Sequence, residues 1–523
     1  MTQLGTISQF LKDRDGPSRF ISGVTSMTNS DSRWLSEHVY LDDNDIPRCA
    51  PDFNIENNLD EISVMLSSYD TMLRNQYHRK MRYYKGDHET IRDRIQYTAI
   101  DPEKNRIVVN VARNLVNTFS GFFIGIPPKI TYAPNSDKKI NQTRVDLVNE
   151  IISRSLSDSD SDDVFYELAK KADIYGRSYL VAYIANDDDK TLKFTHKAPE
   201  NAFIVYSNNE ESRPMFGFTF DSVDNRQFGM LHTPNNIYKF NSDDLESSGG
   251  FEASLKWKNN IFRNVVGMEF ITELPENDER LGMFDDLVSL IDAQDKVLSE
   301  KIDDNDNFSN AILLTKGVAE FTAEQKQEIK HWRVMQVNNT DPNVDPEVDY
   351  LDKPNADGLQ ENSMKHLSDK IYDGSQVVNL ADPSISSAAS GFALTQRMQP
   401  MEMVAATKAE KMRKTIKRLL NIILRYNGFV NDDVADILRD IKVEFTPNVP
   451  HSEVDESTIV KNLNGIVSKR TLISYLSRVQ NIDDELKAEE EEAEKRMTMF
   501  SEPDSEEGAL NDDQDEPPKG GDA

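Results

Sequence analysis

One stretch constrains this chain more than any other. From about Phe392 to Tyr426 the residues Met412, Ile416, Leu419, Leu420, Ile423 and Leu424 fall on one side of a helix. Such a helix runs about 50 Å at ~1.5 Å per residue, too long for an ordinary domain. Directly before it stands 384-SISSAASGFALTQRM-398, where six of the first seven residues are Ser or Ala and Gly391 follows. A linker, a membrane-facing loop and a loop that touches something sliding past share this composition. By itself, 384–391 reads as a plain flexible linker.

Charge narrows the choice. The net charge is −31, from 60 basic and 91 acidic residues. That balance argues against tight wrapping of nucleic acid, which needs clustered Lys and Arg to displace counterions. It does not argue against brief passage of nucleic acid past an acidic wall. The single cysteine, Cys49, excludes a disulfide framework within the chain and argues against a Cys-based zinc site. The amino terminus lacks the apolar core of a secretory signal. The most apolar run, 119-FSGFFIGIPPKI-130, is too short to span a bilayer and is cut by Pro127–Pro128. A soluble protein made in a reducing compartment is expected, with length for roughly three or four domains' worth of core.

Periodicity gives an α+β organisation. Residues 1–55 are polar and Pro-punctuated, and read as a poorly packed arm. A helix is expected from Leu59 to Tyr84, stopped by Gly86, and another from Asn110 to Gly125 with Asn110 as its cap. The acidic cluster after Ser157 starts a further helix, which Gly176 separates from a strand over Ser178–Ile184. Strand-like pieces follow near 192–195, 202–206, 214–221, 228–232 and 237–240. After Gly282 the pattern changes to a helix of about five turns, apolar at Phe284, Leu287, Val288, Ile291, Leu298 and Ile302 and otherwise strongly acidic. An insert over 308–353 carries a strand near 311–315 and a helix near 323–335. A helix over 359–372, a strand near 442–446 and two short helices near 456–466 and 469–479 complete the chain before an acidic tail disordered by composition.

No phosphate loop, HExxH, GxSxG or GxGxxG motif occurs. His78, His88, His196 and His232 have no partner at ligand spacing and read as isolated surface or half-buried side chains. Two acidic clusters, Asp158, Asp160, Asp162 and Asp163, and Asp303 with Asn305 and Asn307, resemble calcium loops but lack the Gly and the bidentate Glu. Solvated helix ends are the favoured reading. The few basic residues gather near the first helix (Arg74 to Arg94) and along the long one (Lys408 to Arg425). They read as a solvated face or interface rim; pairing with an acidic neighbouring copy is the alternative. No catalytic residue, metal site or cofactor is expected.

Four stretches together resemble the portal proteins of tailed double-stranded-DNA bacteriophages, of the long-tailed siphophage type of Gram-positive hosts. They are 83-YYKGDHETI-91 with 105-NRIVVNVARNLVNTFSGFFIGIPPKI-130; 283-MFDDLVSLIDAQDKVLSEKIDDNDNFSNAILLTKG-317; 390-SGFAL-394; and 463-LNGIVSKRTLISYLSRVQNIDDELKAEEEE-492. The resemblance implies a portal fold with an α/β wing, a two-helix stem, a small α/β clip, a long wing-crossing helix and a helical crown. Carried onto this chain it gives an arm at 1–58, wing at 59–282, stem helices at 283–305 and 355–374, and clip at 306–354. A tunnel loop follows at 375–391, the long helix and returning wing at 392–452, crown at 453–495 and acidic tail at 496–523.

The function implied is a non-enzymatic ring, usually of twelve subunits, at one capsid vertex of the virion. It serves genome packaging and ejection. Its implied partners are the terminase large subunit, the major capsid and scaffolding proteins, the head–tail connector and the double-stranded DNA in its channel, with no membrane and with synthesis in the host cytoplasm. The tunnel loop would present Asp382, Ser384, Ser386, Ser387, Ser390 and Gly391, with no Lys or Arg between Gln376 and Leu394 to hold phosphate. The stem would turn Asp285, Asp292, Asp295 and Glu300 to the channel. The competing readings are a scaffold or head–tail adaptor without a DNA channel, and an enzyme such as a nuclease or ATPase, which the missing nucleotide loop and metal cluster oppose.

Overall fold

The computed structural model describes residues 33–92, 105–134, 142–185, 190–223, 226–241, 256–308, 313–316, 347–350, 357–382, 391–449, 453–476, 479 and 485–493. The chain forms two compact units, Met1–Ser387 with Thr395–Asn448, and Ala388–Leu394 with Val449–Ala523.

The first unit opens with two short strands, β1 (Tyr40–Leu41) and β2 (Pro47–Cys49). Helices α1 (Glu61–Tyr69) and α2 (Asn75–Lys85) follow, joined by one widened turn at Asp70–Arg74. Gly86 ends α2 in the left-handed region at φ 84, where a side chain would be strained. Next come α3 (Val111–Ile124), β3 (Lys129–Tyr132), α4 (Gln142–Asp158) and α5 (Ser161–Tyr175). Asn110 caps α3 by accepting from the Arg113 N–H, as its sequence position predicts. Gly176, at φ 86, ends α5; a Cβ there would lie 1.9 Å from the Arg280 carbonyl oxygen. The chain then runs through β4 (Arg177–Ile184), β5 (Leu192–Lys197), β6 (Ala202–Ser207), β7 (Pro214–Val223), β8 (Arg226–His232), β9 (Asn236–Asn241), β10 (Lys256–Arg263) and β11 (Ile271–Pro275).

Seven strands make one sheet in the order β1-β2-β6-β7-β8-β9-β10. Only β2 and β6 run parallel in it. Strands β11, β4 and β5 form a second, antiparallel sheet. Helix α1 reaches the large sheet with Tyr69, whose ring stacks on Phe203 at 4.2 Å and whose hydroxyl donates to the Pro199 carbonyl at 2.7 Å. Phe203, Phe216, Phe218 and Phe220 are fully buried and fill the core there.

Helix α6 (Val288–Phe308) leads to a two-stranded ladder, β12 (Leu313–Lys316) with β13 (Glu347–Tyr350). Helix α7 (Asp357–Ser375) returns alongside α6, and α8 (Gly391–Tyr426) follows with Pro400 inside it. Pro400 has no N–H to donate, so α8 lacks one backbone hydrogen bond in its early turns. Helix α9 (Asn431–Asp440) and β14 (Ile441–Glu444), antiparallel to β3, close the unit. The second unit holds α10 (Glu453–Leu463) and α11 (Lys469–Ile473), the latter capped by Ser468.

Mixed helix and antiparallel sheet agree with the α+β reading. Three expectations change. The arm expected to be loose is packed from Arg33 onward: Leu35, Val39 and Cys49 are fully buried, because the short strands β1 and β2 extend the large sheet. His88 and His232 are fully buried, where isolated surface or half-buried side chains were expected. The basic side of the long helix is not a solvated rim throughout. Lys408 is buried between Asp173 and Glu276, the latter at 2.8 Å, and also donates to the Ala169 carbonyl at 3.0 Å over the rings of Phe119 and Phe123. Burial pushes the Asp173 carboxyl well above the carboxylate range, against the pull of the Lys408 ammonium and with the push of Glu276. The expected helix near 323–335 lies outside the described residues.

Two outcomes follow from these buried groups. Lys408→Met leaves carboxylates enclosed without their cation, so it lowers stability by about 3–5 kcal/mol in urea unfolding. Burial alone holds the His232 imidazole down, to about 4 from its ordinary 6.5. The folded state therefore prefers neutral His232, and that contribution is present above pH 6.5 and is lost as pH falls through about 4. Wild type should lose up to about 3 kcal/mol more than His232→Gln across that window, read from the difference in unfolding midpoints.

Candidate functional site

The acidic helix α6 places Asp292, Asp295, Ser299 and Asp303 at a spacing of three or four residues, so they share one stripe. The extended segment 105–109, rich in β-branched residues, lies along that stripe. Three alternate backbone N–H groups donate to it: Asn105 to Asp303 at 2.7 Å, Ile107 to Ser299 at 3.0 Å and Val109 to Asp295 at 2.8 Å. The pitch explains the match. Two extended residues advance about 6.6 Å, and four helical residues about 6.0 Å. Side chains on the helix thus take the place of a neighbouring strand.

The turn after α2 grips the same stripe. His88 is enclosed, with Nδ1 at 2.5 Å from Asp295 and Nε2 at 3.2 Å from the Tyr83 carbonyl oxygen. Its ring stacks on Tyr83 at 4.7 Å. The Tyr83 hydroxyl donates to Asp292 at 2.9 Å, and the Thr90 hydroxyl donates to the same carboxylate at 2.7 Å. Burial first, and then the Asp292 charge, push the Tyr83 phenol up to about 12. Nearer the start of the helix, Lys80 donates to Asp285 at 2.5 Å and to the Tyr175 carbonyl at 3.0 Å, and the Gly282 N–H donates to Asp285 at 2.6 Å.

Helix α7 runs antiparallel to α6. Lys301 pairs with Glu361 at 2.5 Å, Gln360 donates to Asp304 at 2.9 Å, and Gly374 sits against Leu287. Among the described side chains of α7, Ile371 is the one that is buried. Leu359 is 72% exposed. So long a helix with so little cover presents a large uncovered face.

The expected channel-facing carboxylates are thereby sorted. Asp285, Asp292 and Asp295 turn inward to Lys80, Tyr83, Thr90 and His88, because buried backbone and side-chain donors need acceptors there. Asp295 is fully enclosed. Glu300 is exposed, near Lys296 at 4.0 Å. Of the loop residues, Asp382 is exposed, with its N–H donating to the Asn379 carbonyl at 3.1 Å, and Gly391 is the first residue of α8. Ser384, Ser386, Ser387 and Ser390 lie outside the described residues. The His88–Asp295 pair and the 105–109 strap were not read from the sequence. The available signal was the helical spacing of the α6 acids, which marks a face and not a scatter.

Among the described residues no group of His, Cys, Asp and Glu could hold a metal ion, and no helix is long and apolar enough to cross a membrane. A family model described as phage portal protein, SPP1 Gp6-like, matches residues 67–499. A portal protein of Bacillus phage SPP1 is 22% identical over 470 residues, covering 84% of this chain and 88% of that protein.

The strap geometry predicts a graded response. Ser299→Ala leaves the Ile107 N–H without an acceptor and should cost about 1–3 kcal/mol. Hydrogen exchange at the 105–109 amides should quicken at least tenfold, while exchange in β6–β8 stays unchanged.

Proposed function

Because the chain belongs to the SPP1 Gp6-like family of phage portal proteins, we propose that identical copies close into a ring at the capsid vertex and that double-stranded DNA is packaged and ejected through its centre. The match over 67–499 carries this reading. The sparsely covered α7 supports it, since a helix exposed over most of its length needs a neighbour or a wide solvent channel. In this reading α6 and α7 are the stem and the segment between them is the clip, which docks the terminase motor and later the connector. Residues 375–391 form the tunnel loop, and 453–495 form the crown. Twelve subunits make the ring.

The channel role of stem acids narrows to Glu300. The inward carboxylates instead fix the stem to the wing. The loop role follows from composition: Ser, Ala and Gly can shift as the duplex advances, and the absence of Lys and Arg leaves no phosphate clamp.

Deleting Ser384–Ser390 tests the proposal. Rings should still form by negative-stain microscopy, while packaged DNA per particle falls to background. Normal packaging by that variant removes the loop from the mechanism, and a wild-type protein that never forms a ring with an open pore removes the channel itself.

A further inference from the structure

Two patches near opposite edges of the seven-stranded sheet differ in their charged groups. Strand β1 forms one edge and β10 the other, six strand spacings apart, or about 29 Å at ~4.8 Å per strand. At the β10 edge lies a groove of about 570 Å³ lined by Arg263, Arg425, Val265, Asn235 and Asn431, among others. Arg263 is exposed, and Val265 and the adjacent Val430 are 67% and 65% exposed. Arg425 is held toward the groove by Asn421, to which its Nε donates at 2.7 Å. Asp432 is exposed on the first turn of α9, and Asp433 beside it is engaged by Arg144.

At the β1 edge the turn between β1 and β2 carries Asp43 and Asp45, both bonded to Arg33. This turn is joined to the loop 277–281, where Asn44 donates to the Asp278 carbonyl at 3.2 Å. Asp43, Asp278 and Glu279 are exposed there, with Leu281 and Trp34 as exposed apolar neighbours. One edge thus offers two arginines beside bare valines; the other offers Glu279 and carboxylates that Arg33 and Lys411 already engage on one side, beside Leu281 and Trp34.

We propose that the Arg263–Arg425 groove of one copy receives the Asp43–Glu279 corner of the next. The occupant is a second copy of this chain, seated head to tail. A closed ring needs two different, complementary patches on well-separated sides of each subunit, and opposite edges of one sheet meet that requirement. In a chain of net charge −31, two arginines grouped in one groove complement carboxylates, and two cations are too few to hold a duplex firmly. This inference rests on the ring reading above.

Charge exchange tests it. Arg263→Glu with Arg425→Glu gives an acidic groove; Asp43→Arg with Glu279→Arg gives a basic corner. Each variant alone should form at least tenfold fewer rings than wild type at equal concentration, by light scattering and negative stain, with an unchanged melting temperature. Mixed together they should recover rings, because each altered patch then meets a complementary one. Arg263→Glu alone, at an exposed position, carries the same comparison should the double groove variant fold poorly. Two separately assembling variants, or two deficient variants that do not rescue each other, overturn the contact. Intact rings that have lost only DNA retention also overturn it and assign the groove to phosphate. A wild type that forms no ring refutes the ring reading itself, and that result is distinct from failure of the pairing.

Discussion

The rest of the structure depends on how one acidic helix is held. Asp285, just before helix α6, and Asp292, Asp295 and Asp303 on it face protein, and two segments, Lys80–Thr90 and 105–109, supply the donors. Each contact joins residues about two hundred positions apart in sequence. Since a buried carboxylate without donors costs several kcal/mol, the helix has no cheap alternative seat. Helix α6 is thereby fixed along most of its length by polar bonds, while α7 stays largely uncovered.

The same economy recurs at the long helix. Lys408 projects into the helical layer formed by α3 and α5 and meets Asp173 and Glu276 there, and Thr415 donates to the Glu273 carbonyl at 2.8 Å. Glu273 itself is enclosed by Arg177, Arg280 and Tyr206. Its carboxyl lies below its ordinary value: burial raises it, and the Arg280 and Arg177 charges, with hydrogen bonds from Arg280 and Tyr206, outweigh that rise. Arg177 also donates to the carbonyls of Asn44 and Asp45, which ties the amino-terminal strands to the same centre. Buried ions of this kind add little net stability, but removal of one partner is costly, so they favour one register of the packed elements over others.

In a ring, these anchors separate two tasks. Polar bonds inside the subunit hold the helix pair to the sheet body, and exposed faces remain for neighbours.

The sequence by itself determined the elements whose signals are local. Gly86 and Asn110 mark a helix stop and start, because left-handed backbone and capping depend on neighbouring residues alone. The period of α8 and the apolar runs of β4–β9, set apart by turn residues, were readable for the same reason. Strand β11 escaped notice because Thr272 and Glu273 are buried polar residues, whose partners lie elsewhere in the chain. The packing of β1 and β2 was hidden as well: two- and three-residue strands carry no period, and only the large sheet gives them a place. Above all, charge sign was legible and charge direction was not. Nothing in the spelling of Asp295 or Lys408 states that one meets His88 and the other Asp173. Tertiary structure decided this, since a carboxylate faces water or protein according to whether distant donors arrive at its position.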